Sequence, residues 1–187
     1  DTDTCFNIAF GCNAGNALNS GDYNIFLGTT AGFDNTSGSM NNFIGCAAGQ
    51  NNTEGSCNNF IGTRAGLTNT TGHNNIFTGF CAGYSNNTGC YNIFLGVTAG
   101  NTNTSGCYNI AIGRDVELPA ATGNQQLAIG DGTSRWLRGD SSYNTCLGNS
   151  TAIKAMASGT MCATCFVGCG AGLTGIDAGF EPDAQGN

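Results

Sequence analysis

Three cysteines near the C-terminus, Cys162, Cys165 and Cys169, stand in C-x2-C-x3-C order. That spacing can bring three thiolates to one soft metal ion. Cys165 lies inside a strand-like segment, TCFVG, and Cys169 just after it, so repeat structure is the expected use and no metal is assigned. His73 is the only histidine, and no Ser-His-Asp or Cys-His set can be assembled around it. It is expected to be a solvated turn residue. Asp115 and Glu117, beside Arg114, have the composition of a carboxylate pair able to cleave glycosidic bonds. The acids are spread thinly along the chain, however, and a solvated charged turn is the expected outcome. Arg138-Gly139-Asp140 spells an adhesion tripeptide, and GCGAG at 168–172 has no lysine to make it a phosphate loop. No residue is assigned to catalysis, no cofactor is expected, and the chain is expected not to be an enzyme.

The elements that would position these groups announce themselves by repetition. Asn7, Asn24, Asn41, Asn58, Asn75, Asn92 and Asn109 follow one another at steps of 17 residues. Each opens a segment such as NIFLG, NNFIG or NIAIG, and an Ala-Gly pair, an Asn-Thr turn and a lone glycine recur in the same phase. A period of this size marks a repeat architecture. Four or five residues rich in Ile, Phe and Leu and closed by glycine suit a short strand. Seventeen residues with three glycine columns cannot hold two packed helices, but they suit one coil of a parallel β-solenoid or β-roll. The fold class is therefore all-β. Residues 5–113 form the regular solenoid, 114–172 looser coils with longer loops, and 173–187 a cap or linker. Closing glycines at Gly130, Gly148 and Gly168 extend the count to about ten coils, a rod of about 50 Å. Stacked in register, the leading asparagines become an amide ladder along the strand edge.

Alternate strand residues face opposite ways. Ile25 and Leu27 share one face, while Phe26, Phe43, Phe60, Phe77 and Phe94 form a column on the other. A strand apolar on both sides is expected to be buried on both sides. One apolar column then fills the coil and the other a centre shared by several chains. A homotrimer about an axis along the rod is expected. The alternative is a wider coil whose interior corner takes the phenylalanines, leaving a monomer.

Charged residues make up only 9% of the chain, with five basic residues and a net charge of −7. That balance excludes nucleic acid, which needs clustered Lys and Arg, and disfavours an anionic membrane surface. No apolar run approaches the roughly 18 residues of a membrane span, so no membrane insertion is expected. The chain starts at Asp1 with no signal-like segment and is expected to be a piece of something longer. Eleven cysteines, scattered over several columns, are expected as free, buried thiols, in keeping with assembly in a reducing cytoplasm. The sequons at Asn35, Asn51, Asn69, Asn86 and Asn103 recur with the period and are accounted for as turns.

NIAIG and LAIGDG resemble the head repeats of trimeric autotransporter adhesins. The Ala-Gly and Asn-Thr-Thr-Gly columns, together with GDGTSRWLRGDSSYN at 130–144, look still more like repeats of bacteriophage tail fibres, notably those of cyanobacterial phages. The resemblance covers roughly residues 5–172. It implies three chains around one axis and a structural segment of a viral tail fibre or appendage, a rigid shaft or adhesive module for host-surface attachment. The implied location is the virion or an extracellular appendage, with other virion or appendage proteins at its ends and a host-surface glycan as the ligand. The alternatives are a bacterial adhesin head and an ice-binding solenoid, the latter suggested by the rank Thr36, Thr53, Thr70 and Thr104.

Overall fold

A computed structural model of the chain describes residues 5–142 and the strand at 145–147. Eight short strands carry the repeat: β1 (Ile8–Phe10), β2 (Ile25–Leu27), β3 (Asn42–Ile44), β4 (Asn59–Ile61), β5 (Ile76–Thr78), β6 (Ile93–Leu95), β7 (Ile110–Ile112) and β8 (Leu127–Asp131). Each pairs in parallel with the next, and Phe26 faces Phe43, Phe43 faces Phe60, and so on without slippage. The chain is a parallel β-solenoid whose coil is the 17-residue repeat. A strand of three residues cannot hold such a stack alone. The hydrogen bonds between coils therefore continue through the turns, as in Gly32 N to Ala48 O (2.9 Å), Asp34 N to Gln50 O (2.8 Å) and Thr36 N to Thr53 O (2.9 Å).

Two glycine columns have separate steric causes. Gly62, which closes β4, has φ +134°, and a Cβ there would stand 2.5 Å from the carbonyl oxygen of Gly79 in the next coil. Gly66 of the Ala-Gly pair has φ +59°, and its missing side chain makes room for the Phe60 ring, 2.5 Å from where a Cβ would lie. Other bends use ordinary residues. Tyr23, Met40, Cys57, Asn74, Tyr91 and Tyr108, each just before a ladder asparagine, have φ of 57° to 61°. The left-handed region costs such residues about 1–2 kcal/mol. It is held by bonds to the coil before, such as Met40 N to Asp22 O (2.8 Å) and Tyr91 N to His73 O (3.0 Å).

Parallel stacking stops at β8. The chain reverses through Gly132 into β9 (Ser134–Gly139), which pairs antiparallel with β8 past an irregularity at Ile129 and Gly130. Strand β10 (Thr145–Leu147) then pairs antiparallel with β9. This corrects the count of ten coils. The NTCLG segment belongs to an antiparallel meander, because a two-residue turn at Gly132 folds the strand back before it can travel round a coil. The third closing glycine, Gly168, and the cap or linker at 173–187 lie outside the described residues. Val116 and Leu118 are buried near this end, where Ala111 and Ala128 replace phenylalanine in the interior column.

Candidate functional site

The ladder asparagines bond to backbone more than to one another. Asn58 donates from Nδ2 to the carbonyl of Gly72 (2.8 Å), at the end of its own coil, and its Oδ1 accepts from the backbone N–H of Asn75 (3.0 Å), which opens the next. Asn24, Asn41, Asn75, Asn92 and Asn109 do the same, and all are buried. Asn7, in the first coil, makes both bonds while half-buried. Gln126 takes the eighth place, accepting nothing from a further coil but bonding Ala120 and Gly123. Asparagine is needed because one short side chain must present a donor and an acceptor in opposite directions.

A second ladder runs through the turn asparagines. Asn52 Nδ2 donates to Asn35 Oδ1 (2.6 Å), Asn69 to Asn52 (2.7 Å), Asn86 to Asn69 (2.9 Å) and Asn103 to Asn86 (2.6 Å). Each also bonds the glycine carbonyl three residues on. The sequence shows these residues only as turn formers and sequons. Buried with their amides committed, Asn35, Asn69, Asn86 and Asn103 cannot accept a glycan in the folded chain.

Phe26, Phe43, Phe60, Phe77 and Phe94 fill the inside of the single coil and are 0% exposed. Their rings stack at centroid distances of 5.4, 4.9, 4.7 and 4.8 Å, the strand spacing itself. The opposite strand face looks outward. It carries one column at the position after the ladder asparagine (Ile8, Ile25, Asn42, Asn59, Ile76, Ile93, Ile110, Leu127) and a second two residues later (Phe10, Leu27, Ile44, Ile61, Thr78, Leu95, Ile112, Ile129). Phe10 is 78% exposed, Ile8 56%, Ile76 40% and Ile25 36%. Beside it run the left-handed residues, with Phe6 stacked on Tyr23 (5.0 Å) and Tyr91 on Tyr108 (4.9 Å), all four exposed. The three columns form one largely apolar strip along the parallel strands, broken by Asn42, Asn59, Asn74, Thr78 and Gln125. This strip is the candidate functional surface.

The chemical candidates disperse. Cys162, Cys165 and Cys169 lie outside the described residues, and among the described residues no three metal-binding side chains converge. The expectation of buried thiols is corrected: Cys12, Cys46 and Cys57 are exposed, and Cys81, Cys90 and Cys107 half-buried, none of the six in a disulfide. Their columns lie at bends on the outer surface, where only main chain is enclosed. His73 is half-buried, not solvated, with Nδ1 2.9 Å from the Cys90 sulfur and its ring edge-on to Tyr91. That column is an acceptor series for the preceding coil: Ser39 accepts from Asp22 N (3.0 Å), Ser56 from Ser39 N (3.0 Å) and Cys107 from Cys90 N (3.1 Å). Asp115 and Glu117 are hydrogen-bonded to Thr98 and Thr102, and Arg114 bridges Asp115 (3.6 Å) and Asp131 (3.1 Å), which raises the Arg114 pKa. The threonine rank is spent internally, with Thr36 Oγ1 donating to Thr53 O (2.9 Å) and Thr53 Oγ1 to Thr70 O (3.2 Å). Hydroxyls so engaged are poorly placed to organise ice.

Fold and surface together define the class, a parallel β-solenoid repeat protein with an apolar outward strip. Compared with known proteins, the chain matches no family model, no curated protein and no solved structure.

Proposed function

We propose that this chain is a structural, non-catalytic segment of a three-chain fibre, a stiff shaft of the kind found in viral tail fibres and related surface appendages. The observation that carries it is the outward strip. A contiguous apolar surface of this length marks a contact surface. Its corrugation repeats at the strand spacing of about 4.8 Å, so a partner that seats along the whole strip needs the same spacing. Another copy of this chain has it. The strip also turns a corner, because the aromatic column sits at the left-handed bend beside the strand. Two apolar surfaces meeting at an angle favour a ring over a flat pair, and three is the smallest ring. The first outward column then lies nearest the axis, and the aromatic column of one copy packs on the third-position column of the next.

Hydrogen bonds between coils and two amide ladders give the shaft stiffness, while the exposed turn residues, such as Ser37, Thr71, Thr88 and Ser105, stand where host-surface glycan would be met. Reduced surface thiols fit assembly in a reducing cytoplasm before delivery to a virion or outer appendage. Light scattering on the purified chain tests the proposal. It should give three times the chain mass, and Leu95→Asp, which places a charge in the strip without touching the interior, should give single chains with unchanged far-UV circular dichroism. A native chain of single mass would end the proposal.

A further inference from the structure

The outward column just after the ladder asparagines is interrupted at one place. Asn42 and Asn59 occupy the column that is Ile25 before them and Ile76 after them, and they are neighbours on adjoining strands. Asn42 Nδ2 donates to Asn59 Oδ1 (3.1 Å), so the pair is half satisfied. Asn42 Oδ1 is enclosed with no hydrogen-bond partner. An unpaired enclosed acceptor is destabilising in the free chain, and isoleucine at position 42 would remove that penalty. Five other coils have isoleucine there, so the repeat tolerates it.

We infer that Asn42 and Asn59 set the axial register of the assembled chains. The inference rests on the three-chain shaft proposed above, in which their column lies nearest the axis. The rest of the strip specifies register less, because most of its positions are apolar in every coil and pack almost equally well after a slip of one step. Thr78, Asn74 and Gln125 lie in the outer two columns. An amide is different. In register, the amides of three copies meet each other, and a turn about χ2 brings the Asn42 acceptor within reach of an Asn59 donor of the neighbouring copy. Slipped by two coils or inverted, each amide would be enclosed against isoleucine and lose its bonds. A single polar position in an apolar seam selects register and orientation at some loss of stability by the same physics.

The exposed thiols supply the readout. In the register proposed, Cys57 of one copy stands beside the bend carrying Cys46 of the next, one coil step away, whereas Cys12 is three steps, about 14 Å, from the level of Cys57. Copies labelled with light and heavy nitrogen are mixed during refolding, treated with a short bis-maleimide and mapped by mass spectrometry. Links between copies should join Cys46 to Cys57 in the native protein. The Asn42→Ile, Asn59→Ile double variant should keep the trimer mass, melt at a higher temperature and add links from Cys12 to Cys57. A trimeric variant with links confined as in the native protein would overturn the register role and leave the shaft intact. Native single chains without links between copies would overturn the shaft itself. Asn42→Ile alone repeats the test if the double variant fails to fold.

Discussion

At the scale of single residues, the ladder asparagines carry more than their size suggests. Replacing Asn58 with alanine orphans the enclosed N–H of Asn75 and leaves the carbonyl of Gly72 with only its bond from Asn69. At about 1–3 kcal/mol for one orphaned buried group, with the half-stripped carbonyl adding less, the loss should be roughly 1–4 kcal/mol in denaturant unfolding. An alanine in the exposed turn at Thr71 should change it by less than about 0.5 kcal/mol. The leading columns were legible as sequence, since an asparagine repeated at 17 residues in front of an apolar strand has few other uses. The bond partners were not, because the ladder joins side chain to main chain, and main chain carries no letter. Cys90 gives a pH prediction. Burial first, with Cys107 adding, raises its thiol pKa, and a backbone bond at His73 opposes. A thiol raised by folding contributes stability that is complete below the ordinary value of about 8.5 and lost as pH climbs through the raised one. Unfolding midpoints should therefore fall more between pH 7 and pH 10 in the native chain than in Cys90→Ser, whose hydroxyl suits a column already holding Ser39 and Ser56.

At the scale of the element, the coil is one strand and three bends closed by contact with its neighbours. Gly62 shows how little freedom the bends have. In Gly62→Ala the new methyl would meet the Gly79 carbonyl at 2.5 Å, on a backbone at φ +134° that only glycine adopts readily. Two adjoining coils must separate, so amide exchange should speed up in the coils around residues 62 and 79 and stay slow near residue 28. Uniform exchange along the chain would show that the coils do not behave as nearest-neighbour units. The glycine columns were plain in the sequence. Two left-handed columns without glycine were hidden, because Tyr23, Met40, Cys57 and Tyr91 in one and Thr30, Ala47, Arg64 and Cys81 in the other have nothing in common chemically and none favours positive φ. Only the inter-coil bonds that hold them reveal the columns.

At the scale of the molecule, modularity follows from the register. Removing residues 58–74, one whole coil, leaves every column continuous, since Asn41 then stacks on Asn75 and Phe43 on Phe77. The shortened chain should keep its circular dichroism per residue and unfold cooperatively. Removing 58–73 shifts every later residue by one place, turns the Phe column outward and should leave an aggregating chain. The terminal coils behave differently from the middle ones. The chain ends its parallel stack in an antiparallel hairpin, which no longer offers a strand edge in coil register. Nothing in the spacing of Gly130 and Gly148 distinguished that hairpin from one more coil, since both place a short apolar strand before a glycine.

By itself the sequence determined the period, the strand, the glycine and asparagine columns and the alternation of two apolar faces. Each of these is local, and each is written many times over, so repetition averages out the ambiguity of any one copy. Which apolar face turns inward was left to the tertiary structure, because alternation is symmetric and the direction in which a chain curls is set by its bends. The left-handed residues before each ladder asparagine curl it toward the phenylalanines, and the isoleucine and leucine columns are thereby left on the outside. The end of the stack was decided in the same way, by whether a turn after Gly130 leads round the coil or straight back, a choice made by contacts across the sheet.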